Sequence, residues 1–216
     1  MRIGVVADTH VGEHVAAVPA EVAEALAGVD LILHAGDLNT RAVIGQLERI
    51  APVVAVRGNH DTGLRDLPRD IVVRVGDRRI GLTHGSRTAL VEFPAAALSL
   101  ASGRPVLLGF SRTMRARFGA VDAIVTGHLH MPFNRIVDGV LHFSPGAVYV
   151  PEIDPGYDWS GVRGGGYRRF RLNLEPAARE PSVGIMEVGP AGIRAETVPL
   201  TRPITLMRRR PAARRG

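Results

Sequence analysis

The sequence contains no cysteine and no lysine among its 216 residues. Without cysteine, neither disulfides nor thiolate metal sites are available, so any bound metal must be held by nitrogen and oxygen ligands. No apolar run approaches the roughly 20 residues that a membrane-spanning helix needs. The N-terminal segment from Met1 to Asp8 places a charge too early for the core of a signal peptide. We therefore expect a cytoplasmic protein that does not associate with a membrane.

Arginine supplies all 27 basic residues, against 21 acidic ones, which gives a formal net charge of +6. Five of these arginines lie in the last nine residues, 208–216. Such a segment is typical of a solvated, disordered tail, which we place at residues 207–216. Contact of this tail with nucleic acid is the alternative interpretation, and no other part of the sequence supports it.

The first third of the chain alternates apolar runs with helical patterns. This β-α-β-α-β order favours a parallel sheet with right-handed crossovers. The predicted strands cover residues 2–7, 30–34 and 53–56, and the predicted helices cover 19–28 and 40–50, the second capped by Thr40.

Hairpins dominate the later part of the chain. Turn sequences occur at Gly76-Asp77-Arg78, Asp138-Gly139 and Gly189-Pro190. They separate predicted strands at 71–75 and 79–83, at 134–137 and 140–143, and at 182–188 and 193–198. Further segments of this kind cover 123–126 and 167–174. We therefore predict an α/β (α+β) fold, a four-layer β-sandwich flanked by helices, as a single domain over residues 1–206.

Two segments interrupt this pattern. Residues 86–120 form a helical insertion with helices at 93–102 and 105–118, and the second helix has a packing face at helical spacing: Leu107, Phe110, Met114 and Phe118. The insertion could overhang a site and select substrates. Residues 151–166, which hold the only tryptophan, form a long loop that we interpret as a rim of the site or a subunit contact.

Five predicted strand ends carry polar side chains of the same kind. They are Asp8 and His10, Asp37, Asn59 and His60, His84, and His128 and His130. Ligands of open α/β sheets gather at the carboxyl ends of strands. One histidine at such a position could be a simple hydrogen-bonding group, but five together make that interpretation poor. We interpret His14 as a loop residue, His34 as part of a strand and His142 as part of a sheet face.

The chemistry of these residues indicates metal ions. Seven of them, all except His60, are candidate metal ligands. Their oxygen and nitrogen donors are too many for one metal and suit two, with Asp37 as the candidate bridge. Imidazole mixed with carboxylate suits Mn, Fe, Zn or Ni rather than Mg or Ca. Two such ions about 3.5–4 Å apart can activate a bridging water for phosphoryl displacement. A non-ligating imidazole beside them could protonate the leaving group.

These motifs resemble those of the calcineurin-like metallophosphoesterases. The matching residues follow the family's order from residue 1 to about 150: Asp8-x-His10, Gly36-Asp37, Gly58-Asn59-His60-Asp61, His84 and Gly127-His128-Leu129-His130. The resemblance implies one metal held by Asp8, His10, Asp37 and His130, and another held by Asp37, Asn59, His84 and His128. It also implies that His60 stabilises the transition state or protonates the leaving group, and that Asp61 supports its loop.

The short chain and its Asp8-Thr9-His10 opening are most similar to the small bacterial and archaeal phosphodiesterases of this family. The resemblance thus implies a metal-dependent phosphoric ester hydrolase with two divalent ions, manganese first and Fe, Zn, Ni or Co as alternatives. A metal-bridging hydroxide would attack a small phosphate ester, a diester rather than a monoester. The family's protein phosphatases carry Asp-Arg-Gly after Gly-Asp, which is absent after Gly36-Asp37 and argues against a Ser/Thr protein phosphatase.

Several alternatives stay open at this point. A nuclease could use the same site, and a catalytically silent scaffold of the same fold could bind a protein partner. Three arginines lie beside the motifs, Arg57, Arg87 and Arg135, and each suits a phosphate contact and a structural role equally well. The sequence does not indicate an oligomeric state.

Overall fold

The computed structural model describes residues 1–150, 171–202, 204, 206 and 207. The predicted loop at 151–166 and residues 208–216 of the predicted tail lie outside this part. The strands are β1 (Arg2–Val6), β2 (Leu31–His34), β3 (Val53–Ala55), β4 (Asp70–Val75), β5 (Arg78–Thr83), β6 (Ala123–Val125), β7 (Pro132–Val137), β8 (Val140–Pro145), β9 (Ser182–Gly189) and β10 (Gly192–Pro199). The helices are α1 (Ala20–Ala25), α2 (Ala42–Leu47), α3 (Ala89–Ser102) and α4 (Phe110–Phe118), with a 3-10 helix at Pro176–Arg179.

The strands form two mixed sheets of five strands each. In the first, the order is β10-β9-β1-β2-β3, and β1, β2 and β3 run parallel as predicted. The late strand β9 pairs antiparallel with β1, so the end of the described chain returns to its beginning. In the second sheet the order is β4-β5-β6-β8-β7, and β5, β6 and β8 run parallel.

The two sheets pack face to face over one apolar core. Alternate residues of β1, such as Ile3 and Val5, point into this core and meet Leu82 and Phe143 of the second sheet. The intervening Val6 packs on the outer face beneath α1 and α2. Helix α4 covers the outer face of the second sheet. These layers confirm the predicted helix-flanked sandwich, whereas its extent as a single domain over residues 1–206 stays a prediction.

The packing face of α4 is as predicted, but its start is not. Phe110, Met114 and Phe118 are buried against the second sheet, and Leu107 packs against the same cluster. The helix begins at Phe110 rather than at residue 105. The reason is that Leu108 and Gly109 adopt left-handed backbone, with φ of 39° and 70°, which a right-handed helix cannot include.

Helix α3 begins at Ala89, four residues before the predicted start, and continues through Pro94. A proline there removes one backbone donor without ending the helix. Its outward side is apolar and exposed, with relative exposures of 89% for Leu90, 60% for Phe93 and 49% for Leu98. Among the described residues, no helix combines the length and apolar character needed to cross a bilayer.

Candidate active site

The eight predicted site residues meet at one end of the two packed sheets. Parallel strands β1, β2 and β3 end at the same edge, which brings Asp8, Asp37 and Asn59 together. The neighbouring edge of the second sheet, after β5 and β6, supplies His84, His128 and His130. The sequence folds this way because each apolar strand ends directly before its polar residues.

One cluster of potential ligands forms around Asp8. The donor atoms of Asp8, His10 and His130 lie within 4.8 Å of one another. His130 Nε2 lies 3.4 Å from Asp8 Oδ1. His10 Nε2 is buried and makes no hydrogen bond. This nitrogen is therefore available as a ligand atom for a metal bound at the cluster. This cluster corresponds to three of the four residues predicted for one metal.

A second cluster forms around His84. Its Nδ1 lies 2.9 Å from the carbonyl oxygen of Ala35, to which it donates, and this bond fixes the ring. Its Nε2 is therefore left to face Asn59 Oδ1 at 3.0 Å and Asp37 Oδ2 at 3.2 Å. The same Asp37 oxygen lies 3.5 Å from His10 Nε2. Asp37 thus stands between the two clusters, where the sequence analysis placed the candidate bridge.

His128 has a less direct position. Its backbone N–H donates to both carboxylate oxygens of Asp8, at 3.1 and 3.0 Å. Its ring lies 5.1 Å from that of His84, centroid to centroid. Its Nε2, however, is 3.4 Å from Glu92 Oε1 of α3. Among the described aspartates and histidines predicted as ligands, His128 alone belongs to no cluster of donors within 4.8 Å.

The backbone at the site is in the left-handed region at six non-glycine residues. Their φ values lie between 44° and 71°: Asp8, His10, Asp37, Asn39, His128 and His130. Such conformations are unfavourable outside glycine and concentrate at functional sites. Asp, Asn and His tolerate these conformations best among residues that carry a side chain. The same residue types can therefore adopt the turns at the strand ends and offer donor atoms for a metal.

Asp61 organises the loop that carries Asn59 and His60. Its Oδ2 accepts the N–H groups of Asp37 and Gly58, each at 2.8 Å, and its Oδ1 accepts that of Asn39 at 2.7 Å. A Cβ atom at position 58 would stand 2.0 Å from Asp37 Oδ1, so only glycine allows this approach. The loop support that the resemblance implied for Asp61 is thus visible in its hydrogen bonds.

Glu13 joins His60 to the rest of the site, and the sequence analysis missed it. Its Oε2 lies 3.0 Å from His10 Nδ1 and 3.1 Å from His60 Nδ1. Asn39 Nδ2 donates to the same oxygen at 2.8 Å. The only available signal was the spacing of three residues between His10 and Glu13, which does not show where the carboxylate points. His60 also donates its backbone N–H to Asp37 Oδ1 at 2.8 Å.

Tyr149 forms an aromatic wall on the side of His10 and was also missed. Its ring stacks on that of His14 at 4.7 Å and meets the edges of His10 at 5.6 Å and His130 at 5.7 Å. Arg171, which is almost fully buried, donates from Nη1 to the carbonyl oxygen of His130 at 2.9 Å. These residues follow the last motif in the chain and reach the site only through the tertiary fold.

The site is electrostatically suited to cations. Burial acts to raise the pKa of the Asp37 carboxyl, but His84 and the His60 N–H outweigh it and hold that pKa well below its usual range. Burial lowers the pKa of the His84 imidazole, but the carboxylates of Asp37 and Asp8 raise it to about 9. Ionised carboxylates, fixed imidazoles and the unpartnered His10 Nε2 together fit divalent transition-metal ions.

The three arginines beside the motifs differ in their surroundings. Arg87 has a structural environment: its side chain is 3% exposed, pairs with Glu92 at 3.0 Å and donates to the carbonyl oxygens of Leu107 and Leu108. Arg135 is exposed on β7. Arg57 alone lines a cavity at the site.

Comparison with known proteins identifies the family. The profile of the calcineurin-like phosphoesterase superfamily domain matches residues 1–157. The chain therefore belongs to the calcineurin-like phosphoesterase superfamily, as its motifs predicted.

Relatives and solved structures agree with this assignment. Over 158 residues, the chain is 34% identical to a probable metallophosphoesterase of Methanothermobacter thermautotrophicus, covering 72% of this chain and 82% of the relative. Over 165 residues it is 25% identical to a phosphodiesterase of Methanocaldococcus jannaschii, covering 68% and 83%. A crystal structure of wild-type Vps29 with Zn²⁺ from Entamoeba histolytica has the same fold, with a TM-score of 0.60, 20% identity and coverage of 93% and 100%.

Proposed function

We propose that this protein is a dinuclear metal-dependent phosphodiesterase. The observation that carries the proposal is the position of Asp37, whose Oδ2 lies 3.2 Å from His84 Nε2 and 3.5 Å from His10 Nε2, between two clusters of ligand-type residues. The similarity to a phosphodiesterase of Methanocaldococcus jannaschii supports a diester rather than a monoester substrate.

The chain's own residues would divide into two ligand sets that share Asp37. One set is Asp8, His10, Asp37 and His130, and the other is Asp37, Asn59, His84 and His128. Manganese is our first choice, with Fe, Zn, Ni or Co as alternatives. When bound, two such ions would neutralise phosphate charge and lower the pKa of a coordinated water. Ala35 and Glu13 hold the rings of His84 and His10 with one nitrogen facing the site.

His60 is the residue that we assign to the leaving group. Its side chain is 43% exposed, and Glu13 engages its Nδ1 at 3.1 Å. With Nδ1–H donating to Glu13, the opposite nitrogen, Nε2, carries a proton in the imidazolium form of the ring, and in that form it can donate this proton to the departing oxygen. Its backbone bond to Asp37 places the imidazole beside the proposed bridge without using a ring nitrogen.

Two variants test this division of roles. We expect His60→Ala to lower kcat for a generic aryl phosphodiester by about 10²–10⁴-fold, the range for loss of a general acid. The metal content of this variant should stay at about two ions per chain. Asn59→Ala should instead lower metal content, because it removes a ligand oxygen. Metal analysis by mass spectrometry and initial rates give both readouts. Inactivity of the unmodified protein with each of Mn, Fe, Co, Ni and Zn would refute the proposal.

A catalytically silent scaffold is the second candidate. The exposed apolar side of α3, with Leu90 and Phe93 largely solvent-accessible, favours a role in partner binding. If the protein is such a scaffold, it should take up metal and hydrolyse neither mono- nor diesters.

The nuclease alternative rests on residues 208–216. If the protein is a nuclease, deletion of these residues should reduce its affinity for single-stranded DNA. An unchanged affinity would remove the support for this alternative.

A further inference from the structure

A cavity of about 740 Å³ opens beside the proposed metal site. Asn59 and His84, two residues of the proposed ligand sets, form its inner wall. Its other walls carry four arginines from three parts of the chain: Arg57 after β3, Arg65 and Arg69 from the following loop, and Arg117 from α4. A substrate held at the metal site could therefore extend directly into an arginine-rich space.

The positive charge of this cavity is only partly compensated. Asp61 also lines the cavity, but its oxygens accept three backbone N–H groups. Asp70, the other lining carboxylate, pairs with Arg117 at 3.3 Å. Arg57, Arg65 and Arg69 make no ion pair with a described residue, and the Nε of Arg57 is buried without a hydrogen-bond partner. The cavity thus offers cationic donors that lack an anion.

Two parts of the cavity wall are tied to the neighbouring chain by hydrogen bonds. The N–H of Arg57 donates to the carbonyl oxygen of Pro68 at 2.8 Å, which ties the arginine-bearing loop to the end of β3. Arg117 donates to Thr83 Oγ1 at 2.9 Å and to the carbonyl oxygen of Ser86 at 2.6 Å. The Arg117 guanidinium is therefore already positioned and would lose less entropy on binding an anion.

We propose that this cavity binds a second anionic group of the substrate, a phosphate or a carboxylate placed beside the scissile phosphate. The inference rests on the proposed phosphodiesterase function and narrows its substrate to small esters with an additional negative group, such as phosphorylated nucleotides. Guanidinium groups suit this task because they present paired donors in the geometry of phosphate oxygens.

A matched pair of substrates tests the proposal. The 4-nitrophenyl ester of thymidine 5′-phosphate is compared with the same ester carrying a phosphate on O3′. We expect kcat/KM of the Mn-loaded protein to be roughly tenfold higher for the second ester, the effect of one charge-assisted contact. Arg57→Gln and Arg69→Gln should each remove most of this preference. Arg135→Gln, an exposed residue outside the cavity, serves as the control and should keep it.

Calorimetry separates this inference from the proposed function. Thymidine 3′,5′-bisphosphate should bind the Mn-loaded protein roughly tenfold more tightly than thymidine 5′-monophosphate, and Arg69→Gln should abolish the difference. Equal affinities would overturn the cavity proposal whatever the rates of hydrolysis. If neither ester is hydrolysed but the bisphosphate is still preferred, the function fails and the anion site stands.

Discussion

Glu13 connects the metal-binding and proton-donating parts of the proposed site through one oxygen atom. Oε2 engages Nδ1 of both His10 and His60, and Asn39 donates to it as well. Burial acts to raise the pKa of this carboxyl, but the bonds from Asn39 and His10 lower it to about 2. Glu13 is therefore ionised near neutral pH and can orient both imidazoles, which makes it a positioning residue.

Replacement of Glu13 should lower the catalytic rate, although Glu13 is a positioning residue and does not act on the substrate directly. We expect Glu13→Ala to lower kcat or metal affinity by roughly 10–100-fold, as is usual for residues that hold metal-binding histidines. Glu13→Gln should retain part of the activity, because its amide oxygen can still accept from one imidazole. Initial rates and metal titrations measure both effects.

The control for this prediction is Glu24→Gln on the exposed side of α1, where Glu24 pairs with Arg202. It should change neither rate nor metal affinity. Full activity and full metal content in Glu13→Ala would show that Glu13 has no positioning role.

His34 is a buried histidine that stays neutral beneath the site. Its Nδ1 accepts the N–H of Gly36 at 3.2 Å, so its proton resides on Nε2, which lies 3.3 Å from Thr9 Oγ1. Burial lowers the pKa of this imidazole to about 4. Its position in β2 agrees with the interpretation of His34 as a strand residue.

This pKa predicts a loss of stability in mild acid. As pH falls below about 6.5, the His34 imidazole becomes protonated in the unfolded protein. In the folded protein it stays neutral until the pH reaches about 4. Unfolding is therefore favoured progressively, by up to about 3 kcal/mol from this residue alone. Urea denaturation of metal-free protein between pH 6.5 and 5 should show His34→Gln to be less pH-dependent than the parent. Equal slopes would contradict the prediction.

The site residues that sequence reasoning found share one property: each directly follows an apolar strand. The end of a buried strand fixes where the next side chains lie, so Asp8, Asp37 and His84 could be placed together without a structure. Glu13, Tyr149 and Arg171 lie in connecting segments, whose direction depends on tertiary packing. No local pattern in the sequence shows that direction.

At the scale of elements, Arg87 holds the helical insertion together. It precedes α3, pairs with Glu92 inside α3 and donates to two carbonyl oxygens just before α4. Its guanidinium also lies 5.4 Å from the ring centre of Phe110. One side chain thus links both helices of the insertion to the strand end that carries His84.

Removal of this arginine should loosen the insertion. We expect Arg87→Met to destabilise the protein by about 1.5–3 kcal/mol, the range for hydrogen bonds to a charged group. That corresponds to a fall in Tm of roughly 3–12 °C for a chain of this size. Hydrogen exchange should accelerate over residues 89–118 in particular. Arg112→Met, an exposed change on α4, is the matched control and should leave both measurements unchanged.

Element boundaries were predictable where the sequence carries its own stop signals. The bounds of the observed strands fall within two residues of the predicted ones because apolar runs end at glycine, aspartate or proline. The segment predicted at 167–174 is the exception, because its described part, residues 171–174, forms no strand. The predicted cap at Thr40 lies one residue early, because α2 begins at Ala42 with Arg41 as its N-cap; Thr40 nevertheless accepts the N–H of Ala42 at 3.4 Å. The start of α3 was placed four residues too late, and the observed helix contains Pro94 in its interior.

At the scale of the whole molecule, the two sheets come into close contact at Gly184 of β9. A Cβ atom there would stand 2.4 Å from Cε1 of Phe143, which belongs to the facing sheet, and 3.2 Å from Val5 Cβ. The pairing of β9 with β1 joins residues that are far apart in the chain, such as Arg2 and Glu187. Such non-local pairing is why the sandwich could be predicted as a class while its strand order could not.

A methyl group at this contact should force the sheets apart. We expect Gly184→Ala to cost about 1–3 kcal/mol, as is usual when a packed core is overfilled, and to lower Tm by roughly 2–12 °C. Gly189→Ala at the end of the same strand meets no atom within 4 Å and serves as the control. Equal Tm values for the two variants would contradict the close contact between the sheets.

The left-handed backbone at the site has an evolutionary consequence. Each of the six strained residues, among them Asp8, Asp37 and His130, carries a conformational cost of order 1 kcal/mol or more that glycine would avoid. Drift that replaces these residues with glycine would relieve this backbone strain, and it would also remove the proposed metal ligands and the hydrogen bonds that Asp8 and Asp37 accept. Relief of backbone strain thus favours loss of the proposed ligands, and selection for the proposed chemistry opposes that loss.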